Sequence, residues 1–169
     1  MALFREPSDV SVRPAVPGDE DAVTRVQVSA WRDTHATVLG DDVVEALDTT
    51  AMRERWAAAI AAPPGPGFAV LVALAGPEVV GFAAVAPGQL IALEVSPGHQ
   101  RGGHGSRLLS AAVDRLRTDG ATEVVTWVLD DDSARERFLG SAGLGPDGRE
   151  RVLATGARDV VERRWSAAL

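Results

Sequence analysis

The chain contains no cysteine, no lysine, no asparagine and no tyrosine. The missing cysteine excludes disulfides, a thiolate nucleophile, zinc–thiolate sites and iron–sulfur clusters, so any chemistry must use oxygen, nitrogen or a borrowed thiol. All 17 basic residues are arginine, against 24 acidic ones, and the net charge is −7. That balance argues against nucleic acid, whose phosphates are bound through a positive field. Met1–Pro7 carries Arg5 and Glu6 and holds no seven-residue apolar stretch, which does not suit a secretory signal. The longest strongly apolar run, Phe68–Ala75, is far too short to span a membrane. A soluble, cytoplasmic protein is expected, with neither membrane nor nucleic acid as a partner.

What is present is enough for one compact domain over residues 1–169, with 46% hydrophobic and 24% charged residues. Val10, Val12 and Ala15–Val16 predict a first strand ending at Pro17-Gly18. Asp19 is then placed to cap a helix with Glu20 and Asp21 in its first turn and Val23, Val26 and Ala30 on its apolar face. A second helix is expected over about residues 50–61, where Met52, Trp56 and Ile60 fall four apart before Pro63-Pro64-Gly65-Pro66-Gly67. Phe68–Ala75, Val79–Ala86 and Gln89–Val95 read as a three-stranded meander. A helix to about Asp119 follows, with Leu108, Leu109, Ala112, Val113 and Leu116 on one face and Gly120 as its stop. Glu123–Leu129 has the character of a buried strand, and Ser133 with Glu136 forms a capping-box pattern for a helix to about Ala142. Arg151–Thr155 and Asp159–Trp165 predict a closing hairpin.

Between the strand Gln89–Val95 and the helix after it lies Gln100-Arg101-Gly102-Gly103-His104-Gly105-Ser106. Successive glycines let backbone N–H groups converge without Cβ obstruction, and the positive end of the helix points at the same spot. The result is an anion site suited to a pyrophosphate. Walker A does not fit, because His104 and Gly105 follow Gly98-x-x-x-x-Gly103 where Lys and Ser or Thr are required. The dinucleotide fingerprint fails at Leu108, which is too large for the third glycine's contact.

Leu93-Glu94-Val95-Ser96-Pro97, the glycine loop and Ser106-Arg107-Leu108-Leu109 together resemble the acyl-CoA signature Gln/Arg-x-x-Gly-x-Gly/Ala of the GCN5-related N-acetyltransferases. The likeness extends through Val12-Arg13-Pro14-Ala15, Trp31-Arg32-Asp33-Thr34, Val79-Val80-Gly81-Phe82, Trp127-Val128-Leu129 and Ala142-Gly143-Leu144. It implies the GNAT fold, an α/β (α+β) architecture with a mixed, mostly antiparallel sheet of six or seven strands flanked by helices. It also implies acetyl-CoA as cofactor and a small-molecule or peptide amine as acceptor, and it allows a homodimer.

Residue by residue, the resemblance implies that Leu93 and Val95 offer backbone to pantetheine while Gln100, Arg101, Gly102, Gly103, His104, Gly105 and Ser106 hold the pyrophosphate. An N–H near Val95 would serve the oxyanion. Two family groups are altered. Gln89 stands where many relatives carry a glutamate base, and Leu139 stands at the tyrosine that protonates the thiolate. Glu94 is the nearest carboxylate and the nominated base. Strict alternation sets it opposite Gln89, Leu93 and Val95, where a solvated or ion-paired side chain is the plain alternative. Asp132 replaces an asparagine, as a cofactor neighbour or a helix cap, and Ser133, Ser141 or water remain as thiol donors. Trp31 and His35 fall where relatives line the acceptor pocket, with Gln89 also on the substrate side. His35, His99 and His104 lack metal-ligand spacing, and no Gly-x-Ser-x-Gly elbow supports a hydrolase. The function expected is acetyl transfer from acetyl-CoA to a primary amine. The alternative is a catalytically impaired acyl-CoA-binding sensor or assembly module, favoured by Gln89 and Leu139.

Overall fold

The computed structural model describes residues 10–156 and 158–169. The reading of Met1–Pro7 lies outside the described residues. Strand β1 (Val10–Pro14) leads into helix α1 (Glu20–Ala30), a π-helical turn (Trp31–His35), α2 (Ala36–Leu39), α3 (Asp41–Glu45) and α4 (Thr49–Ala61). Then come β2 (Ala69–Ala75), β3 (Glu78–Ala86), β4 (Gln89–Val95), a short 3₁₀ turn (Pro97–His99), α5 (His104–Thr118), β5 (Glu123–Leu129), α6 (Ser133–Ser141), β6 (Gly145–Ala154) and β7 (Asp159–Ala168).

The seven strands form one sheet in the order β1-β2-β3-β4-β5-β7-β6, in which every neighbouring pair is antiparallel except β4 with β5. This is the mixed, mostly antiparallel sheet of six or seven strands that the family resemblance implies. Alternation along the strands separates two cores. Leu71, Ala83 and Val85 meet Leu108, Ala112 and Leu116 of α5 on one face. Val72 and Phe82 meet Val23 and Val26 of α1 on the other, where Trp56 of α4 lies edge-on to Phe82 at 5.0 Å. The sheet is thus covered on both sides, as the continuous burial of β3 requires.

Several local expectations are corrected. The Asp19 side chain does not cap α1. Both of its oxygens accept from the Arg13 guanidinium, at 2.7 and 3.2 Å, and Oδ2 also accepts from the Val16 N–H, so it ties the strand end to the helix start. The cap of α6 is Asp132 rather than Ser133, its Oδ1 accepting from the Arg135 N–H at 3.0 Å. The first strand ends at Pro14, the closing hairpin begins earlier at Gly145, and the π turn, α2 and α3 were not foreseen. Within the π turn the Thr34 hydroxyl donates to the Ala30 carbonyl at 2.6 Å.

The most consequential correction concerns β4. Ala84 pairs with Ala92 and Val85 with Leu90, so Ile91 is an extra, bulged residue and is largely exposed. The bulge shifts the phase. Leu90, rather than Gln89, shares the α5 face with Leu93 and Val95, while Ala92 packs toward α1. Gly81 of β3 supports the straight part of β4 closely. A Cβ added there would lie 3.0 Å from the Glu94 carbonyl oxygen and 3.1 Å from Leu108 Cδ1. Gly81→Ala is therefore expected to lower stability by about 1–2 kcal/mol, read as a reduced urea midpoint at unchanged slope.

Candidate active site

β4 and β5 pair through a single register position, Gln89 with Val125. Just beyond it the Thr126 hydroxyl donates to the Leu90 carbonyl at 2.9 Å, and from there the strands diverge. The inner edge of β4 is thereby exposed to a gap rather than to a partner strand. The carbonyls of Leu93 and Val95 point into that gap, and in a strand each residue's N–H lies on the same side as its carbonyl.

Two hollows open on either side of the split. One, of about 410 Å³, lies on the α5–α6 side and is lined by Leu93, Val95, Gln100, Arg101, Gly103, Gly105, Ser106, Arg137 and Phe138. The other, of about 370 Å³, lies on the α1 side and is lined by Trp31, His35, Trp56, Ile91, Trp127, Leu139, Arg151 and Glu162. Leu93, Glu94, Asp132 and Arg135 line both, and so mark where the two hollows meet.

The first hollow ends on the glycine loop. Arg101 takes a left-handed φ of 62° and Gly103, just before α5, takes 87°. The first backbone N–H of this stretch to find a backbone acceptor is that of Arg107, which donates to the Gly103 carbonyl at 3.1 Å. The N–H groups from Arg101 to Ser106 have no acceptor among the described residues. They are the orphan donors of a helix start, and Arg101, Gly103, Gly105 and Ser106 among them line one concavity together with Arg137. An added Cβ at Gly103 would meet nothing, and one at Gly105 would touch only Phe138 and Val95, at 3.5 Å and beyond. The cradle is therefore open, positive and roomy enough for phosphate oxygens to reach the backbone.

At the junction the Arg135 guanidinium binds twice: Nη1 donates to the Leu93 carbonyl at 2.6 Å and Nη2 to Glu94 Oε2 at 3.1 Å. Glu94 is buried, with 8% of its surface exposed. The ion-paired alternative holds for it, but in a buried setting rather than on a solvated face. Asp132 divides its two oxygens. Oδ1 caps α6, and Oδ2 lies 3.4 Å from Nε2 of His35, which is itself buried. Burial pushes the Asp132 carboxyl up, but the contact with His35, the Arg135 N–H and the Arg135 charge together outweigh it and hold the group below the usual carboxylate range.

The sequence-derived residues are thus largely brought together. Trp31 and His35 line the second hollow, Glu94 and Asp132 sit at the junction, and the first hollow takes Leu93, Val95, Gln100, Arg101, Gly103, Gly105 and Ser106. The structure does not bring in Gln89, which is exposed and lines a separate depression with Trp127 and Arg164. Gly102 and the His104 side chain lie outside the first hollow as well. The His104 imidazole is buried beside His99, and burial, with His99 and Arg107 adding to it, pushes its pKa down. Nor do Ser133 and Ser141 line either hollow; the Ser141 hydroxyl donates to the Phe138 carbonyl. Arg135 was missed by sequence reasoning. Its only signal was its place three residues after the α6 cap.

Among the described residues no cluster of three or more His, Asp or Glu is arranged for a metal ion, and no helix is long and apolar enough to cross a membrane. A sheet covered on both faces, split between its two parallel strands and ending the split on a helix-start anion cradle, defines the acyl-CoA N-acyltransferase class of fold. The profile of the Acetyltransferase (GNAT) family matches residues 28–144, and the chain belongs to that family. No curated protein sequence matches it. Among solved structures it is similar to a GCN5-related N-acetyltransferase from Rhodopseudomonas palustris, at 19% identity and a TM-score of 0.79 over 95% of this chain and 96% of that one. It is also similar to the PaiA N-acetyltransferase from Thermoplasma acidophilum in complex with coenzyme A, at 18% and 0.77 over 95% and 99%. A third is YncA from Salmonella typhimurium with its cofactor acetyl-CoA, at 22% and 0.70 over 96% and 95%.

Proposed function

We propose that the protein is an acetyl-CoA-dependent N-acetyltransferase that moves the acetyl group to a primary amine of a small-molecule or peptide acceptor. The observation that carries this reading is the shared junction: an anion cradle on one side of the split strands and a tryptophan-lined hollow on the other meet at Leu93, Glu94, Asp132 and Arg135. Membership of the family supports the same reaction, and solved proteins of like fold contain coenzyme A or acetyl-CoA. The sensor alternative gains no support from either.

The N–H groups of residues 101–106 would hold the pyrophosphate, with Arg101 and Arg137 adding charge. Bound acetyl-CoA supplies an activated thioester, and the N–H groups of Leu93 and Val95 face the gap where its carbonyl charge develops. The carbonyls of those two residues are already engaged, by Arg135 and by the Gln100 side-chain amide at 3.3 Å. Pantetheine therefore bonds to this strand chiefly through the N–H groups. Glu94 and Glu162 give the acceptor hollow carboxylates beside the walls of Trp31 and Trp127, which suits an amine that arrives as a cation. With its Oε2 held by Arg135, Glu94 serves to bind that ammonium. Leu139 fills the family's acid position with a side chain only 1% exposed, so the thiolate leaves without a phenolic donor. At a thiol pKa of about 8.5 it is a tolerable leaving group.

Acetyl-CoA at a hundred times its dissociation constant should stabilise the fold by about 2.7 kcal/mol. An amine panel assayed for thiol release should then identify an acceptor. Binding without turnover on any amine class would remove the transferase reading, and no binding at millimolar acetyl-CoA would remove the cofactor as well.

A further inference from the structure

We infer that His35 is the proton acceptor of the acetyl-transfer site and that Asp132 is its positioning residue. The inference rests on the transferase reading above and names the base that neither Gln89 nor Glu94 supplies. Gln89 lies outside both hollows, and Glu94 is occupied by Arg135. With Glu162 held by Arg151 and Asp132 by the Arg135 N–H, His35 is the remaining proton acceptor that lines the acceptor hollow, and its contact Asp132 lines both hollows. The imidazole therefore lies in the acceptor hollow, in contact with a residue of the seam where that hollow meets the cofactor's.

The local geometry prepares one ring nitrogen for this work. Asp132 Oδ1 is fixed by the Arg135 N–H, and this aims Oδ2 at His35 Nε2, 3.4 Å away. A carboxylate at Nε2 favours the tautomer with its proton there and leaves the lone pair on Nδ1. Nδ1 pairs with no group among the described residues and is not sealed from solvent. Trp31, 6.0 Å away between ring centroids on the same π turn, flanks the imidazole from its own element. The other charged groups of the hollow are Glu94 on β4, Arg135 on α6, Arg151 on β6 and Glu162 on β7. Arg135 is tied to Glu94 and Arg151 to Glu162, which leaves Asp132 as the charge in contact with the ring.

In the step so assigned, Nδ1 takes one proton from the acceptor's ammonium and later releases it to solvent. The freed lone pair on nitrogen attacks the thioester carbonyl carbon, the C–N bond forms, and the C–S bond breaks with its electron pair on sulfur. The nitrogen's surplus proton goes to the thiolate, giving amide and free thiol.

The test compares the parent, His35→Gln and Asp132→Asn, since asparagine still caps α6 but carries no charge. Thiol release is measured with an alkylamine, cationic at neutral pH, and with an arylamine, already neutral. His35→Gln should lower kcat/KM for the alkylamine by about 100-fold or more and for the arylamine by less than about fivefold. Asp132→Asn should lower the alkylamine rate by about tenfold or more. Coenzyme A affinity should be unchanged in His35→Gln. Independently of turnover, ¹⁵N spectra of the free protein, which has only three histidines, should show neutral His35 protonated at Nε2, and a mixture of tautomers in Asp132→Asn. Equal losses on both amines, or a parent His35 protonated at Nδ1, would overturn the role of His35 while leaving the transferase reading intact. A parent with no turnover on any amine class of the panel would overturn both.

Discussion

Gly105→Glu is expected to weaken coenzyme A binding by about 100-fold or more, a loss of roughly 2.7 kcal/mol, while the protein stays folded. The site explains both halves of the result. A Cβ at Gly105 touches Phe138 and Val95 only at ordinary contact distance, so the first carbon is tolerated. Gly105 also lies within α5, and its φ is not among the left-handed ones, so the backbone is not strained. The rest of the side chain must extend into the hollow that Gly105 lines, and its carboxylate then sits beside the orphan N–H groups of Gly103, Gly105 and Ser106. There it satisfies the donors proposed for the pyrophosphate and would repel that group's charge. Calorimetric titration of parent and variant measures the difference, and Gly105→Ala is the control that should keep most of the affinity. An unchanged dissociation constant for Gly105→Glu would place the pyrophosphate elsewhere.

The cradle was legible because its chemistry is local. Glycines at 102, 103 and 105 between a strand and a helix start determine where backbone N–H groups go, whatever the rest of the chain does. Strand limits were legible for the same reason: Gln89–Val95 and Glu123–Leu129 fall where their apolar character changes. The bulge at Ile91 was not legible, because it arises from matching β4 to β3, and no residue of β4 announces it. That single insertion moved Gln89 off the face of Leu93 and Val95, and a rule of strict alternation could not have done so. Nor could spacing reveal Arg135 with Glu94, 41 residues apart, or His35 with Asp132. Both pairings depend on α6 crossing the open split between β4 and β5. The family resemblance did place Asp132 and His35 near the site, but on different sides of it. Only the three-dimensional arrangement makes them one unit.

Arg135→Met should destabilise the protein by about 3 kcal/mol, the largest stability effect expected of any residue at the junction. The guanidinium neutralises Glu94, of whose side chain 10% is exposed, and also satisfies the Leu93 carbonyl at the open edge of β4. Methionine fills a similar volume but leaves the carboxylate without its counter-charge and the carbonyl without its donor, and each orphaned group carries a desolvation cost. Glu94→Gln alone should cost only about 1 kcal/mol, because the amide oxygen still accepts from Arg135 and the bond to Leu93 survives. The double variant Arg135→Met/Glu94→Gln should then be more stable than Arg135→Met by about 1 kcal/mol or more, since no buried charge remains. Urea unfolding of the four proteins, compared at equal slopes, closes this cycle. A double variant no more stable than Arg135→Met would show that Arg135 acts through Leu93 and packing alone. If Arg135→Met unfolds at the parent's midpoint, the bridge between α6 and β4 contributes nothing to the fold, and the junction must be held open by the Thr126–Leu90 hydrogen bond and the bulge instead.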